Sequence, residues 1–244
     1  GKTAIVTGGA SGFGEGIVRK FLHEGARVVI ADINRDAAHA LAGELGADAI
    51  AISADVTDGR SVEQLRTATK ESFDHIDIVV NNAGVTYLPA ALDEVTEEDF
   101  DRVFQVNCKS VYLMAKTFIP DMKARNAGVI LNIASTAGVS PRPHLNWYNS
   151  SKGWMITATK TMAVELAPFG IRVNAVNPVA GETPLLSSFM GGDTPELRQK
   201  FISTIPLGRF STPEDIANAS CYLCSDEASM VTGVCMEVDG GRVI

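Results

Sequence analysis

Strand-length runs of Val, Ile and Ala alternate with amphipathic stretches along the whole chain. The runs read TAIVT at residues 3–7, ARVVIAD at 26–32, DAIAISAD at 48–55, DIVVNN at 77–82, GVILNIAS at 128–135, IRVNAVNP at 171–178 and VCMEVDGG at 234–241. Between them, helical periodicity covers residues 14–23, 35–45, 60–73, one long stretch near 97–125, then 147–167 and a last one near 213–223. Strands apolar on both faces, each followed by a crossover helix, are what a parallel sheet covered on both sides requires. The expectation is an α/β, doubly wound parallel sheet in a single domain spanning residues 1–244. No repeat, low-complexity tract or linker interrupts it, and 45% apolar residues in a chain of 244 are enough for one core. The one long irregular stretch, about residues 179–207, reads as a substrate loop or lid, with Gly191 and Gly192 as hinges.

In such a sheet, ligands sit beyond the carboxyl ends of the strands, and the first strand-to-helix turn takes a pyrophosphate. Residues 7–14 spell T-G-x-x-x-G-x-G, so glycines let the backbone approach phosphates while the next helix offers its N-terminal amides. Asp32 ends the second strand 18 residues after Gly14, where a carboxylate accepts from ribose hydroxyls and repels a 2′-phosphate. That favours NAD over NADP. The alternative for Asp32 is to cap the following helix.

Charge and cysteine usage narrow the partners. A net charge of −8 argues against nucleic acid and anionic membranes, and no apolar stretch approaches the ~20 residues that cross a bilayer. No charged-then-apolar leader precedes the first strand, so a cytoplasmic protein acting on small molecules is expected. The chain opens at Gly1 rather than Met, so leading residues are expected before it. Cys108, Cys221, Cys224 and Cys235 lie in apolar surroundings, and the CxxC at 221–224 has helical period with no second ligand cluster. It reads as core, not as metal or redox chemistry, and no metal site is expected.

With the glycine turn, Asp32, NNAG at Asn81–Gly84 and YNSSK at Tyr148–Lys152, the sequence resembles the short-chain dehydrogenase/reductase family over essentially its full length. The resemblance implies a Rossmann-like sheet of about seven strands, a nicotinamide cofactor, hydride transfer between an alcohol and a carbonyl, and a homotetramer. It implies a catalytic set of Asn107, Ser135, Tyr148 and Lys152. Cofactor contacts fall on Gly8, Ser11, Gly12, Phe13, Gly14, Asp32, Ile33, Asp55, Val56, Asn82, Ala83, Gly84, Tyr148, Lys152, Pro178 and Thr183. Asp55 reads equally as a turn residue before the next helix.

The chemistry fits those residue types. Tyr148 and Lys152 stand four apart on one helical face, so the ammonium is expected near the phenol, lowering its pKa together with the oxidised nicotinamide. Tyr148 then takes the alcohol proton as hydride passes to the nicotinamide. Ser135 holds the substrate oxygen, Lys152 bonds the nicotinamide ribose, and Asn107 holds a water linking Lys152 to solvent.

After the sixth strand the family's glycine and branched residue are replaced by Val179 and Gly181 in NPVAGETP. Because a glycine reaches φ > 0, a different loop path is expected there. Substrate contacts are expected from Ser135, His144, Leu145, Trp147, Leu185 and Phe189, with Met190 in the apolar wall and Arg142 and Asn146 meeting polar groups. The function expected is an NAD-dependent dehydrogenase acting on a small or cyclic secondary alcohol or its ketone. The alternatives are a 3-oxoacyl-[acyl-carrier-protein] reductase, which Asp32 and the acidic charge disfavour, and a catalytically silent dinucleotide-binding protein.

Overall fold

The computed structural model describes residues 1–244. Its strands are β1 (Thr3–Thr7), β2 (Arg27–Asp32), β3 (Ala49–Ser53), β4 (Ile78–Asn81), β5 (Gly128–Ile133), β6 (Ile171–Pro178) and β7 (Cys235–Val238). They form one seven-stranded sheet in the order β3-β2-β1-β4-β5-β6-β7, with every neighbouring pair parallel. The helices are α1 (Gly12–His23), α2 (Arg35–Leu45), α3 (Gly59–Phe73), α4 (Glu97–Phe104), α5 (Ser110–Arg125), α6 (Asn146–Leu166), α7 (Leu186–Met190), α8 (Pro195–Ile202) and α9 (Pro213–Cys224).

Alternation along each strand divides the core between two layers. Ala4, Val6, Val28 and Ile30 pack with Ile17 and Phe21 of α1 and Ile216 and Leu223 of α9. Ile5, Val29 and Ala31 point the other way, onto Leu65 of α3, Phe118 of α5 and Leu166 of α6. Each fully buried Val, Ile or Leu contributes about 1.5–3 kcal/mol, so both faces of the sheet are held. Gly16 lets α9 approach α1, because a Cβ there would lie 2.7 Å from Pro213.

The strand order makes the site. From β1 the chain runs outward to β2 and β3, then returns to lay β4 on the other side, so the loops after β1 and β4 diverge at the carboxyl edge.

Two expectations need correction. The stretch near 97–125 is not one regular helix, because a π-helical turn at Gln105–Lys109 joins α4 to α5 with Asn107 at its centre. The stretch 179–207 is not wholly irregular, because α7 and α8 lie within it. Val179 is 5% exposed and packs with Leu186, Ile205 and Phe210, which anchors that segment on the body. Cys224 is buried in the first layer with Cys221 against it, both as free thiols, and burial pushes Cys224 up to about 12. No helix is long and apolar enough to cross a membrane.

Candidate active site

At the carboxyl edge of the sheet opens a cleft of about 560 Å³, lined from the β1–α1 turn at one end to Leu185 and Phe189 of the 179–207 segment at the other. The turn depends on its glycines. Gly8 and Gly12 sit at φ 61° and 56°, and a Cβ on Gly14 would lie 2.1 Å from the Gly8 carbonyl oxygen. The loop after β4 is stitched to it. Asn82 Nδ2 donates to the Thr7 and Gly8 carbonyls at 2.9 and 3.0 Å, while Thr7 Oγ1 accepts from the Asn82 and Ala83 amides. Asn81 reaches the other way, to Asn132 of β5, and Asn132 donates to Thr159 of α6. The NNAG segment thus ties the turn to the sheet centre.

This end of the cleft suits a dinucleotide. Ser11 precedes α1 without a side-chain capping bond, leaving first-turn amides without that acceptor at the point where a phosphate would lie. Each Asp32 oxygen accepts one backbone amide, Oδ2 from Ala10 at 3.0 Å and Oδ1 from Asn34 at 2.9 Å. The carboxylate is therefore aimed by the glycine turn and keeps lone pairs for hydroxyl donors. It does not cap α2; Asn34 does, accepting from Ala37. Ile33 is 73% exposed on the cleft wall beside it. Asp55 and Val56 also line the cleft, although Asp55 Oδ1 is occupied as a turn acceptor by the Thr57 amide and hydroxyl. Gly84 leaves a space that a Cβ would fill, 3.4 Å from Lys152 Nζ and 3.5 Å from Asn107 Oδ1.

The structure brings Ser135, Tyr148 and Lys152 together deeper in the same cleft. Ser135 follows β5 in extended backbone and accepts from the Ala137 amide, which orients its hydroxyl. Tyr148 and Lys152 share one face of α6 and are both buried. Lys152 Nζ donates to the Ile133 carbonyl at 2.9 Å and lies 5.9 Å from the Tyr148 ring centre. The ammonium thus faces the ring of the tyrosine one helical turn before it.

In the protein alone, burial pushes the Tyr148 phenol above its ordinary value, while the hydrogen bond from Ser135 and the charge of Arg142 pull it back. Burial also pushes Lys152 down to about 8. Desolvation is the largest influence on both groups in the protein alone.

Asn107 is held by three hydrogen bonds. Its amide donates to the Val85 carbonyl and to Ser151 Oγ, both at 3.0 Å, and its Oδ1 accepts from the Val85 amide at 2.9 Å. Both N–H groups are used to brace the loop after β4 against α6. A π-turn is where a helix diverts a side chain in this way.

Of the expected substrate residues, Ser135, Leu185 and Phe189 line the cleft and three others do not. Leu145 is fully buried among Tyr87, Val103 and Ala137, so it is core. His144 is exposed at φ 68°. Trp147 packs edge-on to Phe100 at 5.3 Å and donates to the Leu92 carbonyl. The apolar wall is instead Phe189, whose ring meets Tyr148 edge-on at 5.6 Å.

Gly181 needs a different explanation from the one expected, since its φ is not positive. A Cβ there would stand 2.3 and 2.5 Å from two ring carbons of Phe13 and 2.9 Å from Ser211 Oγ. The aromatic ring on the glycine turn fills the room a branched residue 181 would need. Thr183 packs over Gly12, and Pro178 is fixed through its carbonyl by Thr136 Oγ1.

Sequence reasoning missed Thr7 and Arg102. Thr7 carries the clue of preceding the glycines directly, while Arg102 at the cleft wall pairs with Asp99 and reads as an ordinary surface pair.

Comparisons agree with this architecture. A family model described as "Enoyl-(Acyl carrier protein) reductase" matches residues 8–242. A 4-formylbenzenesulfonate dehydrogenase of Comamonas testosteroni is 48% identical, the match covering 100% of this chain and 98% of that protein. A 3-oxoacyl-[acyl-carrier-protein] reductase of Thermotoga maritima is 38% identical over 100% of this chain and 98% of its own. Among solved structures, a 3-ketoacyl-(acyl-carrier-protein) reductase from Brucella melitensis, complexed with NADH, superposes with a TM-score of 0.95 at 47% identity, covering 100% of this chain and 99% of that one. A glycine turn braced by Asn82, a tyrosine and lysine one turn apart, and full-length kinship place the chain in the short-chain dehydrogenase/reductase family.

Proposed function

We propose that the protein is an NAD-dependent dehydrogenase/reductase that interconverts a small or cyclic secondary alcohol and its ketone. The observation that carries this is the meeting of Ser135, Tyr148 and Lys152 in one cleft with a glycine turn whose outer end is marked by the Asp32 carboxylate. NADH in the Brucella structure supports the cofactor, and Asp32 would repel a 2′-phosphate. The relative from Comamonas, named for an aromatic aldehyde, supports a cyclic substrate.

When bound, the nicotinamide supplies the hydride acceptor for oxidation and the donor for reduction. The glycine turn and first amides of α1 would hold its phosphates, Asp32 the adenosine ribose, and Asp55, Val56 and Ile33 the adenine side. Lys152 would hold the nicotinamide ribose, and Pro178 and Thr183 the carboxamide end. Ser135 fixes the substrate oxygen by its hydroxyl, and Tyr148 exchanges the proton with that oxygen. Asn107 acts by positioning, since it braces the loop after β4 that Lys152 faces. Helices α7 and α8 form the lid, turning about Gly191 and Gly192, both at positive φ.

The enzyme is expected to be a cytoplasmic homotetramer. Tyr112 of α5 with Trp154 and Val164 of α6, exposed by 53%, 41% and 78%, supply apolar surface for subunit contacts. A panel of cyclic and linear alcohols assayed for NADH formation tests the reaction, and failure of every alcohol and ketone would reject it. A second reading, reduction of a 3-oxoacyl thioester, is favoured by likeness to the Brucella 3-ketoacyl-(acyl-carrier-protein) reductase and is tested by adding acetoacetyl thioesters to the panel.

A further inference from the structure

Tyr148 and Lys152 are held by different means, although only one helical turn separates them. Lys152 is fixed through its own side chain, since Nζ donates to the Ile133 carbonyl at 2.9 Å. Tyr148 is the third residue of α6, inside the first turn, where backbone amides have no acceptor within the helix and the chain frays unless something caps it. Helices α2, α3, α4, α8 and α9 are capped by their own Asn, Asp or Thr. Helix α6 is not: the residue before it is Leu145, whose side chain is apolar and fully buried.

The missing acceptor comes from elsewhere in the chain. The Trp147 amide donates to the phenolic oxygen of Tyr87 at 3.0 Å, across 60 positions of sequence. Tyr87 is 3% exposed, and its ring packs in the same apolar cluster as Tyr148, with Val103, Ala137 and Leu145. Burial pushes the Tyr87 phenol above its ordinary value, and the amides of Trp147 and Tyr148 pull it back. It therefore stays protonated near neutral pH and its oxygen serves as a neutral cap.

The loop that presents Tyr87 is fastened on both sides. Asn107 bonds both backbone groups of Val85, and Arg102 Nη2 donates to the Thr86 carbonyl at 3.1 Å. Beyond Tyr87, the Ala90 amide donates to the His144 carbonyl at 3.0 Å, and Trp147 Nε1 donates to the Leu92 carbonyl at 3.3 Å. Residues 85–92 thus run across the start of α6 as a strap, with the Tyr87 oxygen at the open end of the helix. Tyr87 itself does not line the cleft.

We propose that Tyr87 is a positioning residue: by capping α6 through its phenolic oxygen it fixes the first turn, and with it the place of the Tyr148 hydroxyl relative to Ser135. Its effect on turnover rests on the oxidoreductase reading above; its effect on Tyr148 does not.

Tyr87→Phe is the test, because it keeps the buried ring and removes only the oxygen. The chain has four tyrosines, so an NMR-visible carbon label at the tyrosine ζ position gives four signals, assigned by single replacements with Phe. In Tyr87→Phe the Tyr148 signal should broaden or split, while those of Tyr112 and Tyr222 stay in place. For an alcohol that the enzyme oxidises, kcat should fall about 10- to 100-fold, with its KM and the Kd for NADH changed by less than about twofold. A Tyr148 signal unchanged in position and width, or an unchanged kcat, would overturn the proposal. So would a parallel loss of kcat and NADH affinity, which would make Tyr87 a support for the fold as a whole. A disturbed Tyr148 signal with no turnover of any alcohol or ketone by the unaltered enzyme would leave the positioning standing and reject the oxidoreductase reading; an undisturbed signal with normal turnover would do the reverse.

Discussion

Placing a methyl group on Gly181 should destabilise the protein through a single neighbour. The added carbon would lie 2.3 and 2.5 Å from ring atoms of Phe13, well inside the ~3.5 Å of ordinary carbon contact, so the ring must move by roughly 1 Å. Overpacking of this kind costs about 1–3 kcal/mol. For a chain of 244 residues that corresponds to a fall in Tm of about 2–10 °C. The sign should reverse when the ring is removed. In a Phe13→Ala background the next-nearest atom is Ser211 Oγ at 2.9 Å, a hydroxyl that can turn aside, and an alanine at a non-positive φ gains up to about 1 kcal/mol from reduced freedom of the unfolded chain. The coupling between the two substitutions is then about 2 kcal/mol, or roughly 30-fold in the folding equilibrium. Urea unfolding of the four proteins gives the cycle, and NADH fluorescence should show affinity falling in Gly181→Ala and recovering in the double variant. Additive effects would refute the reasoning, because residue 181 would then be glycine for some cause other than the Phe13 ring.

Tyr148→Phe should lower kcat about 10²–10⁴-fold while NADH still binds, as loss of a proton-transfer group does; unchanged turnover would remove Tyr148 from the chemistry. Asp32→Ser should raise NADP affinity relative to NAD, and fluorescence titration with both dinucleotides checks it; an unchanged ratio would detach Asp32 from cofactor choice. Lys152 titrates near 8 in the folded protein against 10.5 for a free lysine, so between those values the unfolded chain holds the extra proton. Stability should therefore be lowest below pH 8 and climb by about 3 kcal/mol toward pH 10.5, a rise that Lys152→Met should lack in denaturant unfolding at pH 7 and 10.5.

The doubly wound parallel sheet was legible because it follows from periodicity: Val and Ile on both faces of seven runs leave few alternatives to a parallel sheet between helices. The glycine turn was legible for the same kind of reason, since Gly8, Gly12 and Gly14 answer to local backbone geometry. Long-range sterics were not. Nothing in NPVAGETP announces that Phe13, 168 residues earlier, occupies the space beside Gly181. The loop before α6 misled similarly, because Leu145, Trp147 and His144 read as one apolar and polar mixture. Folding sends Leu145 to the core, Trp147 to Phe100 and His144 to solvent. The π-turn at Asn107 has no local signature; it reflects the pull of Val85 and Ser151, both distant in sequence.

The disposition of Tyr148 and Lys152 connects these observations. Burial disfavours the charged form of both, so in the protein alone near neutral pH the proton resides on the phenol. The same dry surroundings make any nearby charge count for more than it would in water. Arg142 stands behind Phe189, the ring that meets Tyr148, and its positive charge favours the phenolate. A further cation entering the cleft would act in the same direction. Arg142→Met should shift the acidic limb of the kcat/KM profile for a neutral alcohol toward higher pH, because the phenolate would lose a stabilising charge.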